Sequence, residues 1–335
     1  MRQFALIALL LMPLQAKADD PVDRVLTKVV LPGVEDFAEK TATLAQAAQK
    51  DCTPQNPDLI SAWNGAMDAW FGIQDLRVGP LEEASRRQII AFWPDIAGHR
   101  QRALGRILSG QDKILQTPEQ YHDEPVSARG LYAIETMLFD PDFNGYTTAD
   151  PGCGLVRAAS ADLANIGAEV KTTWESDFVT VMRTAGSAQN TRFLDTSEAR
   201  QVLFTALLTS LQFDVNERLG LPLGTFDKPR ALRAEGRLSA RSQRNLALSL
   251  ENHEKLALAL VADENAAVGT REDFQRLRWM VSELDDPDFS GVDDPASRFK
   301  LEAVQTGITL LRGTVNKEFS TALGVTMGLN ALDGD

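Results

Sequence analysis

Apolar side chains recur at a spacing of three to four residues along most of this 335-residue chain, and runs in which they alternate one-for-one with polar residues are scarce. The first spacing lays a stripe along an α-helix, whereas strict alternation would mark a strand. Ile60, Trp63, Met67, Trp70 and Phe71 form one stripe, opened by Pro57 and closed by Gly79-Pro80. Val202, Leu203, Ala206, Leu207 and Leu211 form a second, begun by Asp195 with Glu198 three residues later and stopped by Gly220 and Pro222. Phe274, Leu277, Val281 and Leu284 form a third. The pattern predicts an all-α chain.

An internal echo suggests how the helices are grouped. Phe139-Asp-Pro-Asp-Phe-Asn-Gly145 returns 146 residues later as Asp285-Asp-Pro-Asp-Phe-Ser-Gly291. Each copy follows an apolar helical stretch and precedes an Asp-Pro pair, Asp150-Pro151 or Asp294-Pro295, suited to the N-cap and first turn of a long helix. Two helical bundles of similar plan are expected, over residues 19–186 and 187–335, with Gly186 to Asn190 as a polar break. Asp140, Asp142, Asn144 and Gly145 match the first half of an EF-hand loop. The twelfth position, which needs a bidentate glutamate, is Pro151 in one copy and Ser297 in the other, so the loops read as turns and not as calcium sites.

Composition places the chain outside the cytoplasm. Arg2, an apolar run from Phe4 to Leu14 and Ala16-Lys17-Ala18 make residues 1–18 a secretory signal peptide, too short in its apolar part to span a bilayer. No later segment reaches membrane-spanning length. The periplasm is the expected location. The net charge of -13 becomes about -15 once Arg2 and Lys17 are removed; that disfavours nucleic acid as a partner and is the ordinary charge of a soluble acidic surface. Cys52 and Cys153 are the only cysteines. In an oxidising compartment a disulfide is the simplest reading, two free thiols the alternative; a four-thiolate metal site is excluded.

Several chemistries drop out by motif. The chain has three histidines, His99, His122 and His253, and none opens a His-Glu-x-x-His zincin sequence. Each reads as a surface or structural histidine. No Gly-x-Ser-x-Gly elbow or glycine-rich phosphate loop is present. Attention falls on a helix expected over Ser127 to Phe139. At 100° per residue, Leu131, Ile134 and Leu138 share one stripe, while Ala128, Tyr132, Glu135 and Phe139 share the stripe beside it. A carboxylate on a buried seam must be paired, hydrogen-bonded or protonated. Either the Tyr132 phenol or an arginine satisfies Glu135 inside the bundle, or both residues face a cleft and contact a ligand.

The segment Gly130-Leu131-Tyr132-Ala133-Ile134-Glu135 resembles the glycine-histidine-glutamate signature of the imelysin family, with tyrosine in the histidine's place. Trp70, Phe71, Asp75, Arg77 and Gly79-Pro80 are similar to the family's tryptophan, arginine and Gly-Pro stretch, and Phe92-Trp93-Pro94-Asp95 to its aromatic-Trp-Pro-Asp element. The resemblance implies an exported protein of two duplicated four-helix bundles, tied to iron or metal acquisition as a binding or accessory protein, with iron as the possible cofactor and an iron-uptake component as the possible partner. A metal-dependent peptidase, as the family's naming suggests, and a partner-recognition module without metal are the alternatives. The implied ligand-binding candidates are Gly130, Tyr132, Glu135, Arg77 and Asp95. Tyr132 and Glu135 would be the metal ligands, with Asp95 or Asp75 as a further oxygen donor. A phenolate suits ferric iron, whereas loss of the imidazole weakens a divalent site. Arg77 is expected to pair with Glu135 or Asp95, or to contact an anion.

Overall fold

A computed structural model describes residues 20–111 and 113–325, so the expected signal peptide lies outside the described residues. Helix α1 spans 21–50 and begins at Asp20, whose carboxylate accepts from the Val22 amide at 2.9 Å, with Pro21 in the first turn. It widens into a π turn over Leu26–Val30, just ahead of Pro32. A proline in mid-helix has no amide to give and crowds the carbonyl one turn back, and the wider turn absorbs both defects. Helix α2 (Pro57–Ile73), the short α3 (Arg86–Ile90) and α4 (His99–Leu108), α5 (Gly130–Phe139) and α6 (151–183) follow. The second half holds α7 (196–223), α8 (Ser242–Leu260), α9 (Val268–Ser282) and α10 (Pro295–Leu323). Among the described residues there is no named strand, and no helix is long and apolar enough to cross a membrane.

The predicted helix signals operate as capping chemistry. Asp195 accepts from the Ser197 amide at 2.7 Å, and Glu198 reaches back to the Leu194 amide at 2.6 Å. Asp294 accepts from the amides of Ala296 and Ser297. Asp150 also stands at an N-cap, but its carboxylate binds Thr147 instead. Helix α7 ends at Leu223, one residue past Pro222, as the Gly220 and Pro222 stop implies, and on the way it passes through a π turn at Asp214–Leu219. As at Pro32, a proline that has no amide to give follows the wider turn, whereas the π turn at Trp174–Phe178 in α6 has no proline after it.

Helices α1, α2, α5 and α6 pack into one bundle, with α1 lying along both α2 and α6; α7 to α10 pack into the other. Cys52 and Cys153 form a disulfide that ties the end of α1 to the start of α6 across a sequence separation of 101. Closing a loop of that length contributes about 4 kcal/mol in the chain-entropy model. The two bundles share one connected apolar core. Helix α2 packs on α8, and the first turns of α1 reach α7 and α8, where Arg24 donates to the carbonyls of Ala259 and Leu260 at 2.9 Å. What separates the bundles is therefore a packed seam, and its centre is polar.

Candidate functional site

Helix α5 is the centre of the seam. Every residue from Gly130 to Leu138 is buried, so the helix has no solvent face and the distinction between two stripes disappears. It starts at Gly130 and not at Ser127, because Arg129 is extended and Gly130 has φ +72°, a left-handed conformation that glycine adopts without strain. The glycine also admits a close backbone crossing. A Cβ at this position would overlap the carbonyl oxygens of Ile89 and Ile90 at the end of α3 and stand 2.7 Å from the Ile90 carbonyl carbon. The first residue of the motif thus sets the position of the next two.

Two residues on, the Tyr132 hydroxyl donates to Glu235 Oε1 at 2.7 Å, across the seam. Glu235 Oε2 accepts from Arg218 Nε at 2.5 Å. Arg218 also pairs with Asp214, donates to Ser249 Oγ at 2.9 Å and to Gln74 Oε1 at 2.6 Å, and lies between the rings of Phe71 and Phe213 at 4.8 and 5.1 Å from their centroids. Beyond Asp214 stands His253, with Nε2 3.0 Å from Asp75; its Nδ1 lies 3.5 Å from Asp214, within ion-pair range, and makes no hydrogen bond among the described residues. Asn252 donates to the same Asp75 carboxylate at 3.0 Å. Carboxylates and cations alternate from Asp75 through His253, Asp214 and Arg218 to Glu235, and the chain ends on the neutral phenol. The π turn holds both Asp214 and Arg218, and both are buried at the centre of the network.

Burial and charge act together on these groups. Burial pushes the Tyr132 phenol well above its usual range, and Glu235 adds to that, so the hydroxyl stays protonated and donates. Burial also raises the Glu135 carboxyl; the hydroxyl of Ser239 at 2.6 Å, its amide at 3.2 Å and the positive charge of Arg100 work the other way. For Arg218 burial opposes the charge, and Glu235 and Asp214 outweigh it, leaving the guanidinium raised. Asp75 is drawn down to about 2, because the His253 charge and hydrogen bonds overcome the cost of burial. His253 is raised by Asp75 and Asp214 against its own burial.

These shifts set a pH dependence. A raised His253 contributes stability that is fully present below its unfolded value of 6.5 and is lost as pH climbs through the folded value. The lowered Asp75 contributes above its ordinary 3.8, and that part is lost only as pH falls toward 2. Replacing His253 by glutamine is therefore expected to cost more stability at about pH 6 than at about pH 9, with each unit of pKa displacement worth about 1.4 kcal/mol. Urea denaturation of both proteins at the two pH values measures it, and an equal cost at both would show that His253 is not held charged.

On one side α5 borders a cleft of about 420 Å³. Tyr132, Glu135, Asp95 and Arg100 line it from the first half; Arg233 and Arg237 line it from the segment between α7 and α8. Asp95 is present but engaged, accepting from the amides of His99 and Arg100 at 2.8 Å, as an acid at a helix start should. Arg100 lies 5.5 Å from the Tyr132 ring centroid. Arg77 stands elsewhere: it pairs with neither Glu135 nor Asp95 and lies over Phe213, 5.4 Å from the ring centroid. Asp75 belongs to His253 and not to the cleft. Of the histidines, His99 and His122 keep contact with solvent and His253 is fully buried. Among the described residues no group of three or more His, Cys, Asp and Glu side chains could hold a metal ion.

Sequence reasoning missed Glu235, Ser239, Arg218 and Asp214, which supply the second half of the seam. Glu235 and Ser239 lie in a stretch without hydrophobic period, where no helical argument reaches. Asn245, Ser249, Asn252 and His253 did leave a signal, a polar stripe at helical spacing along α8, all of it buried.

The Peptidase_M75 (imelysin) family model matches residues 30–315. The fold is similar to an imelysin-like protein from Psychrobacter arcticum 273-4, at 17% identity and TM-score 0.72, covering 92% of this chain and 96% of the other. It is also similar to a putative iron-regulated protein A precursor from Parabacteroides distasonis ATCC 8503, at 14% identity and TM-score 0.67, covering 89% and 94%. No curated protein matches significantly.

Proposed function

The chain belongs to the imelysin family, and from that premise we propose that it is an exported binding or accessory protein of iron or metal acquisition, in which the cleft between the bundles recognises the ligand and Tyr132 latches the seam. The observation that carries this reading is the Tyr132 hydroxyl, which donates across the seam to Glu235 and is held neutral by burial. A phenol in that state has no free anionic oxygen for ferric iron. Glu135 accepts from Ser239 and feels the charge of Arg100, and Arg218 holds the Glu235 carboxylate to which Tyr132 donates. The donor set therefore does not fit a metal coordinated by Tyr132 and Glu135. The peptidase reading asks for a metal-bound water beside Glu135, and the groups acting on Glu135 here are the Ser239 hydroxyl and amide, the Arg100 guanidinium and the Glu235 carboxylate, whose oxygens are taken by Tyr132 and Arg218. The iron association is supported by the likeness to a protein described as iron-regulated, and export by the leader-like residues 1–18 together with the disulfide.

The test uses metal analysis and growth. After equilibration with ferric citrate and desalting, the protein is expected to retain substoichiometric iron. Tyr132→Phe is expected to destabilise it by about 1 to 3 kcal/mol, the cost of a lost buried hydrogen bond, without changing that iron content. Stoichiometric iron that disappears in both Tyr132→Phe and Glu135→Ala would overturn the latch. A deletion strain is expected to grow poorly under iron limitation and normally with iron supplied; equal growth in both would sink the acquisition role.

A further inference from the structure

Beside the cleft is a smaller pocket of about 130 Å³, many times the roughly 15 Å³ that a single water needs. Trp93 stands in the lining of both. Gln74, Arg77, Arg87 and Arg218 are among the residues that line the small cavity. Three buried donors in this lining, Gln74 Nε2, Arg77 Nε and Arg87 Nε, have no hydrogen-bond partner. Gln74 is 4% exposed, and its orientation follows from chemistry: Arg218 can only donate, so the amide oxygen turns to Arg218 and the NH2 is left over. Burial lowers Arg77 to about 10, and the neighbouring Arg87 charge adds to the effect; burial lowers Arg87 as well. Arg87 has Glu82 on its outer side at 3.3 Å, a half-exposed contact that leaves Nε unmatched. Glu235 is the one acid in the lining, and its two oxygens are already taken by Tyr132 and Arg218.

We propose that this cavity is an oxyanion site, in which Arg77, Arg87 and the Gln74 amide hold a carboxylate or phosphate group. All the unpartnered groups are donors, and two of them are the buried Nε atoms of like-charged guanidinium groups lining one pocket. Leaving such groups without an acceptor is costly, and a guanidinium fork matches a planar or tetrahedral oxyanion with two parallel bonds. The shared chemistry has two sources, a free inorganic anion or the acidic end of a molecule that also occupies the cleft past Trp93. The proposal stands apart from the iron reading, because it is measured on protein free of metal.

The experiment titrates the protein with inorganic phosphate and, separately, with citrate, at ionic strength held constant with chloride, following tryptophan fluorescence and melting temperature. A saturable response to at least one anion is expected, weakened about tenfold or more in Arg77→Gln and in Arg87→Gln, the loss of a charge-assisted hydrogen bond. Gln74→Met removes a neutral donor without adding or removing charge, and the same direction of change is expected there should an arginine variant fail to fold. If Arg237→Gln weakens citrate and leaves phosphate unchanged, the site takes the acidic end of a cleft ligand; if phosphate alone binds, it takes a free anion. Responses no larger than those to chloride, or undiminished in all three cavity variants, overturn the proposal.

Discussion

Arg218→Met is expected to destabilise the protein by about 3 to 5 kcal/mol, because it removes the one cation that two buried carboxylates share. Arg218 is 3% exposed and Asp214 is fully buried. Without the guanidinium, Asp214 keeps Ser249 and the more distant His253, and Glu235 keeps only Tyr132 of the partners described above. Methionine fills much of the space between Phe71 and Phe213, so the loss reports charge and hydrogen bonding more than volume. The size is read from the urea midpoint, with far-ultraviolet circular dichroism confirming that the variant folds. Neutralising one of the stranded acids as well, in Arg218→Met with Glu235→Gln, is expected to recover part of the loss, since coupled neighbours are not additive. A single-variant cost below about 1 kcal/mol would place the network among ordinary surface ion pairs and remove it as the device that joins the bundles.

That device was half legible in the sequence. The helices were readable because burial imposes a period: Trp63, Met67, Trp70 and Phe71 lie in the core, as do Phe274, Leu277, Val281 and Leu284. Tyr132 and Glu135 were singled out by spacing and resemblance, and the argument that a buried carboxylate needs a partner correctly demanded one for Glu135. It could not name Ser239, because the partner lies 104 residues away in a loop, and side-chain pairing at that distance leaves no periodic trace. Glu235 is hidden in the same way, 103 residues from Tyr132. The pairing of Arg77 with Glu135 or Asp95 failed for a different reason. Its place beside the Gly79-Pro80 stop was visible, but the direction of its side chain depends on Phe213 in the opposite bundle. Gly220 and Pro222 mark the end of α7 at Leu223, but nothing in their spacing announces the π turn at Asp214–Leu219 before it. Propensity alone does not distinguish a broken helix from one that detours through a π turn held in place by packing.

The residue at the head of the motif makes the other large prediction. Gly130→Ala is expected to cost at least about 4 kcal/mol, in the range reserved for severe backbone and packing defects. Two effects add there. The left-handed φ of +72° costs an alanine about 1 to 2 kcal/mol, and the new methyl collides with the backbone carbonyls of Ile89 and Ile90, which cannot rotate away as a side chain would. Gly110 separates the two effects, having nearly the same φ, +73°, and, among the described residues, nothing within 4 Å of its would-be Cβ. Gly110→Ala should therefore show the conformational cost alone, about 1 to 2 kcal/mol. Chemical denaturation of the pair gives the difference directly, and equal costs would refute the close crossing of α3 as the reason for glycine at the motif. The functional consequence follows from geometry. Relief of the collision must push the start of α5 away from α3, and Tyr132, barely half a turn further on, moves with it. Its 2.7 Å bond to Glu235 has little tolerance for such a shift. In Gly130→Ala, adding Tyr132→Phe should then cost less than it does in the native protein, because the hydrogen bond it deletes is already weakened.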